Sequence, residues 1–174
     1  METYNVTIGH GANLLLGLEP DRRGLLPDAD VARLREFGDA IRSIYGEDKN
    51  LARTGTIQTE DGSSAPALND GDQDTFWIAP AQSHNATLEL SFKQPTTIDR
   101  TVVMEWLNLG QRIEKYAIQS WEGEKWRTLH AGTSIGHKKI DIFPRTTTAK
   151  IRLRILAATA PPALREFQAF DAAK

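Results

Sequence analysis

Cysteine is absent from all 174 residues. That excludes disulfides, thiolate metal sites and cysteine nucleophiles. An excess of either charge is missing too: 21 Lys and Arg face 23 Asp and Glu, a formal net charge of −2. Such a balance gives no reason to expect nucleic acid or an anionic membrane as partner. No apolar run approaches the roughly 20 residues of a spanning helix, and the opening METYNVTIGHG lacks the order of a secretory leader. Repeats and low-complexity tracts are also missing. His84, His130 and His137 stand apart from one another without metal spacing, and each reads as a surface residue.

What is present is the material of a soluble globular protein, with 40% hydrophobic and 25% charged residues. The length suits one domain, or one domain plus a fragment. Asn5-Val6-Thr7 and Asn85-Ala86-Thr87 match the glycosylation sequon, a pattern short enough to arise by chance. Two regions differ in period. In residues 1–46, Asn13 to Leu18 (NLLLGL) is an apolar run closed by Pro20, expected to be a strand buried on both faces. Asp28 is expected to cap a helix in which Val31, Leu34, Phe37, Ile41 and Ile44 recur at helical spacing, with Gly46 as a left-handed C-cap. One strand and one helix cannot close a core, so this piece needs something to pack on.

Residues 47–66 are polar and read as a linker and leading loop. From residue 67 to 174 the period falls to 2. Leu88, Leu90 and Phe92 alternate with polar neighbours, as do Ile151, Leu153 and Ile155. Further strand-like runs cover 98–106, 113–121, 125–130, 139–143 and 164–170. Turn residues separate them at intervals of roughly 8–12, the spacing of an antiparallel β-sandwich.

Within DGDQDTFW, the acids Asp70, Asp72 and Asp74 alternate as in a cation-binding loop. An EF-hand is excluded, because Thr75 stands where glycine is needed and Ala81 where a bidentate Glu is needed. An acidic turn in which Asp70 caps backbone amides remains open. The loop WLNLGQR offers one aromatic face, Trp106, and planar groups on Asn108, Gln111 and Arg112 suited to paired hydroxyls. These four, with His84, are the candidate carbohydrate-binding residues. The competing reading has Gln111 and Arg112 hold the loop or dock on another domain. Trp77 is expected to plug the sandwich, and Trp121 and Trp126 to bracket a hairpin turn.

Residues 9–42, GHGANLLLGLEPDRRGLLPDADVARLREFGDAIR, resemble the final strand and helix of the catalytic barrel of α-L-fucosidases. NDGDQDTFW, LELSF, PTTIDRTVVMEWLNLGQRIEKY, SWEGEKW, KIRLRIL and LREFQAF resemble the discoidin-like, coagulation-factor 5/8 type C sandwich that follows that barrel. The resemblance implies a mostly β fold: a discoidin-like jelly roll preceded by a β-α remnant of a TIM-like barrel. It implies the C-terminal portion of a glycoside hydrolase with its catalytic carboxylates absent, so no catalytic residue is assigned. It also implies a structural calcium ion on Leu68 (carbonyl), Asp70, Asp72 (carbonyl), Thr75 and Glu166. The partners implied are a fucose-containing or other glycan, and a catalytic barrel in cis or trans, or failing that self-association. The parent would be secreted, periplasmic or lysosomal. The rival reading is a free-standing carbohydrate-binding or adhesion module.

Overall fold

The computed structural model describes residues 1–173. Two helices, α1 (Glu2–Thr7) and α2 (Asp28–Tyr45), precede seven strands: β1 (Thr56–Thr59), β2 (Trp77–Ile78), β3 (Ala86–Glu105), β4 (Ile113–Trp121), β5 (Trp126–Gly132), β6 (Lys139–Ala158) and β7 (Ala163–Phe170). Among the described residues, no helix is long and apolar enough to cross a membrane.

Alternation does the sorting. Leu88, Leu90, Ile151, Leu153 and Ile155 turn inward and are buried, while Glu89, Arg152 and Arg154 turn outward. β3 and β6 each join two of the runs expected to be separate strands. Their antiparallel ladder breaks register between Ser91 and Thr96, beside Pro95, and again between Ile98 and Arg100. A proline removes a ladder donor and a bulge bends the strand. Each long strand thereby passes from one layer to the other. The first layer runs β1, the start of β3, the end of β6, β4 and β5. The second runs β2, β7, the end of β3 and the start of β6. Leu90, Ile118 and Leu153 from the first meet Val103, Leu164 and Phe167 from the second in one core.

Residues 47–66 are not a linker. Ala52 and Ile57 lie in that core, and β1 pairs with β3 from Thr56 opposite Ser91 to Thr59 opposite Leu88. The polar character of this stretch belongs to its outward half.

The N-terminal region departs from expectation in three respects. Residues 13–18 form no strand, and Leu15 is 94% exposed. A strand buried on both faces needs neighbours to complete its ladder, and here none flank it. Asp28 opens α2 as its first residue, after Pro27, and makes no capping bond. Gly46 has φ −57°, not a left-handed value; a Cβ there would meet the Arg42 carbonyl at 2.6 Å. The apolar stripe does lie on the covered side, since Val31, Leu34, Phe37, Ile41 and Ile44 are all half-buried.

Attachment to the sandwich is local. Tyr4 and Tyr45 pack on a second small core of Val102, Met104, Ile140 and Phe170, on the outer side of the second layer. The Tyr45 hydroxyl bonds Asn5 Oδ1 (2.7 Å) and accepts from Arg100 Nη1 (3.0 Å). Backbone contact is made where Ile140 N donates to the Gly9 carbonyl (2.8 Å).

Candidate functional site

The acidic loop lies between a 3₁₀ turn at Pro66–Leu68 and the short strand β2. Asp70 organises it. One carboxylate oxygen accepts from Asp72 N (2.8 Å), and both accept from the Thr75 hydroxyl (3.1 and 2.9 Å). The same hydroxyl lies 3.1 Å from the Asp72 carbonyl, and Asp74 N donates to Asp72 Oδ1 (2.9 Å). Gly71, at φ +72°, presents its amide to Glu166 Oε1 on β7, 3.1 Å away. The positive φ is what calls for glycine at 71; a Cβ there would also meet the tip of the Arg53 side chain at 1.7 Å, which would have to swing aside. Asp70, Asp72 and Thr75 are thus bonded to one another, and Glu166 reaches the same loop through Gly71 from a distant part of the chain; Leu68 ends the 3₁₀ turn just before it.

Glu166 is 2% exposed. Burial raises its carboxyl to about 7, Asp70 adds to the rise, and Gln168 and Arg53 oppose it. A buried carboxylate beside a second carboxylate is the electrostatic setting in which a bound cation is favourable. The donor set is rich in oxygen, as a hard cation requires. It contains only two carboxylate side chains apart from Asp72; no cluster of three or more His, Asp or Glu able to hold a metal occurs among the described residues.

The candidate carbohydrate residues sit at one end of the sandwich. Trp106 stacks on Phe76, with ring centroids 4.7 Å apart and planes 7° from parallel. Phe76 is 40% exposed, and Leu107 and Leu109 protrude beside it. Asn108 and Gln111 are exposed. Arg112 is spent on architecture: Nε donates to the Leu109 carbonyl (3.1 Å) and Nη1 to the Pro161 carbonyl (2.7 Å). His84 is placed on the neighbouring loop, where Nδ1 donates to the Ala158 carbonyl (2.7 Å).

Two features escaped the sequence reading. Glu105, 2% exposed, accepts from Arg112 N (2.8 Å), Ile113 N (3.0 Å) and Gly136 N (2.6 Å), and so fixes the loop that Trp106 opens. An acid interrupting the apolar run VVMEW was its only signal. His130 is not a plain surface residue, since Nε2 lies 3.1 Å from Asp141, which also accepts from the Tyr116 hydroxyl (2.9 Å). Burial pushes Asp141 up, and His130 and Tyr116 draw it back.

Antiparallel layers joined by bent strands, with an acidic loop held against the last strand, define a discoidin-like sandwich. Residues 52–167 match the F5/8 type C domain, and the chain belongs to that family. The similarity extends beyond the domain. A putative alpha-L-fucosidase 1 of Oryza sativa subsp. japonica is 24% identical over 178 residues, covering 98% of this chain and 34% of its own length. Alpha-L-fucosidase 1 of Arabidopsis thaliana is 26% identical over 150 residues, covering 80% of this chain and 29% of its own. The crystal structure of SpGH29 superposes with a TM-score of 0.84 at 28% identity, over 98% of this chain and 38% of that one. The chain thus spans about a third of the length of these relatives.

Proposed function

We propose that this chain is the C-terminal portion of an α-L-fucosidase, a glycoside hydrolase, and is not catalytic by itself. The observation that carries this is the extent of the likeness. It covers 98% of the chain, including the helix α2 that precedes the F5/8 type C match at residue 52. A free-standing binding module has no use for that helix and its leucine-rich lead. A retaining glycosidase needs two carboxylates about 5–5.5 Å apart across the sugar; no pair in this chain is assigned that role. The sandwich then packs on the catalytic barrel or holds glycan close to it. The test is release of nitrophenol from an aryl α-L-fucoside by the purified chain, with a full-length fucosidase as control. No turnover is expected; steady turnover that survives further purification would refute the reading.

Glycan is held weakly at the loop end. The outer face of the Phe76–Trp106 stack supplies the platform, with Asn108, Gln111 and His84 as polar neighbours and Arg112 as the brace. One stacked ring and a few bonds, each worth about 0.5–1.5 kcal/mol net, give dissociation constants near millimolar. Titration with fucosylated oligosaccharides should lose binding in Trp106→Ala. Binding that survives Trp106→Ala combined with Arg112→Ala would reject this site.

A calcium ion would be held by Asp70, Thr75, Glu166 and the carbonyls of Leu68 and Asp72. Its contribution is to tie the first long loop to the last strand. It takes no part in bond cleavage.

A further inference from the structure

The outer surface of the first layer carries a polar groove that no residue of the Trp106–Arg112 loop lines. Arg152 lies on β6 with Glu89 of β3 and Gln119 of β4 as its cross-strand neighbours. Its guanidinium is set 4.2 Å above the Trp126 ring, and Nε donates to Gln119 Oε1 (2.7 Å). Gln119 is itself held, donating to Thr128 Oγ1 (3.0 Å). The orientation of the guanidinium plane is thus fixed from below and from one side. Its terminal nitrogens meet no acceptor among the described residues. Glu89, the obvious candidate, is instead bonded to Lys150 Nζ (2.7 Å).

Arg154 follows two residues later on the same face, and its side chain forms no hydrogen bond or ion pair among the described residues. Partial burial, and after it repulsion from the Arg154 guanidinium, hold Arg152 below the usual arginine range, against the pull of Glu89 and Glu60. Both line a groove of about 380 Å³ with Asn85 and Thr87. That groove continues through the same two residues into a second of about 390 Å³, walled by Trp77, Ile78 and Pro80. In the first part Glu60 sets one negative charge against the two arginines; the second part is lined by Glu60 and Asp61 with no cation, so an anion is favoured only at the arginine end.

We infer that this groove is a second saccharide site, taking a sugar that bears an oxyanion, a uronate carboxylate or a sulfate ester. Planar guanidinium donors match a carboxylate or sulfate in pairs, and a bridging anion relieves their mutual repulsion. The ring of the adjoining sugar rests along Trp77 and Pro80. Asn85, Thr87 and Glu60 take its hydroxyls. Neither arginine contributes to the loop site, so the two sites stand or fall separately.

Calorimetric titration with tri-galacturonate, with a carrageenan-derived sulfated oligosaccharide and with a neutral galactan trisaccharide tests the assignment. At least one anionic probe should bind about tenfold more tightly than the neutral one, and which of them does so identifies the anion. Arg154→Gln and Arg152→Gln should each lower that affinity by about tenfold, and added salt should weaken it. Loss of that affinity in Trp106→Ala would place the anionic probe at the loop site and overturn the assignment to the groove. The Arg154 side chain forms no hydrogen bond or ion pair among the described residues, so its variant remains informative if loss of the Arg152–Trp126 stack disturbs folding. Failure of both anionic probes to bind, equal binding of the neutral trisaccharide, or binding that survives Arg154→Gln with an unchanged melt would overturn the proposal.

Discussion

Helix α2 and strand β7 are both amphipathic, yet none of the 18 residues of α2 is buried, whereas six of the eight in β7 are. The sandwich surrounds β7 on both sides: β2 and β3 pair with it, and the opposite layer covers its apolar face. Around α2 the cover is partial. Tyr45 at its end packs on Phe170, Phe37 meets Tyr4, and a leucine-rich strap lies along the helix, sharing a groove of about 380 Å³ with Leu34 and Phe37. Leu16, Leu18, Leu25 and Leu26 remain exposed. An apolar pattern announces that an element is meant to be covered. It does not supply the cover.

The sharpest break between the regions should appear on truncating an aromatic in each. Phe167→Ala in β7 should cost about 3–5 kcal/mol, from lost burial and the cavity left behind. Phe37→Ala in α2 should cost under about 1 kcal/mol, because its site is already half open. Urea denaturation measures both. Equal losses would mean that α2 is as much part of the cooperative unit as the sandwich.

Buried charge also separates the regions. In metal-free protein Glu166 has a folded-state value near 7, above the ordinary 4.5. The folded state keeps the proton longer, so the stabilising contribution is complete below about pH 4.5 and is lost as pH rises through 7. The loss is on the order of 3 kcal/mol. Melting temperature in chelator should therefore fall across that window, and Glu166→Gln should flatten the slope. A slope that persists in Glu166→Gln would place its origin elsewhere.

Calcium should counter the same loss. A ligand that binds only the folded state adds about 2.7 kcal/mol at a hundred times its dissociation constant. Millimolar calcium should then raise the melt by several degrees at pH 8. Asp70→Ala should melt low and ignore calcium and chelator alike, and magnesium should substitute poorly because its octahedral shell is more rigid. Identical wild-type melts in chelator and in calcium would leave DGDQDTFW an acidic turn.

The smallest effect on stability is expected in the strap. Leu15→Ser and Leu25→Ser should change unfolding free energy by no more than about 0.5 kcal/mol, since neither side chain is covered. Light scattering across concentrations should nonetheless show less self-association, as exposed apolar patches are removed. Unchanged association would mean that the strap is not the adhesive surface.

Much of the sandwich can be read from the chain alone. β4 spans Ile113–Trp121, the run marked out by alternation and flanking turns. The apolar stripe of α2 is legible in the same way. Both depend on the local period, which is a property of covalent geometry. The leucine run at 13–18 shows the limit of such reading. The same letters suit a buried strand or an exposed strap, and only neighbouring strands could make the difference. At the candidate sites the residue types were visible, and for Arg112 so was the choice between holding the loop and meeting a sugar; the fold chose the first. Arg112 had donors fit for a sugar, and the carbonyls of Leu109 and Pro161 took them. Arg152 looked like an ordinary outward charge until Trp126 and Gln119 fixed its plane.

By itself, then, the sequence determined the period of each element, the layered β class and the acidic loop, because these follow from side-chain spacing along one chain. Tertiary structure decided that β3 and β6 bend through both layers, that Glu166 closes on a loop 95 residues away, and which donors are left free for a ligand. Burial and hydrogen bonding are settled between residues far apart in sequence, and a polar group can be offered to a partner only after the fold has declined to use it.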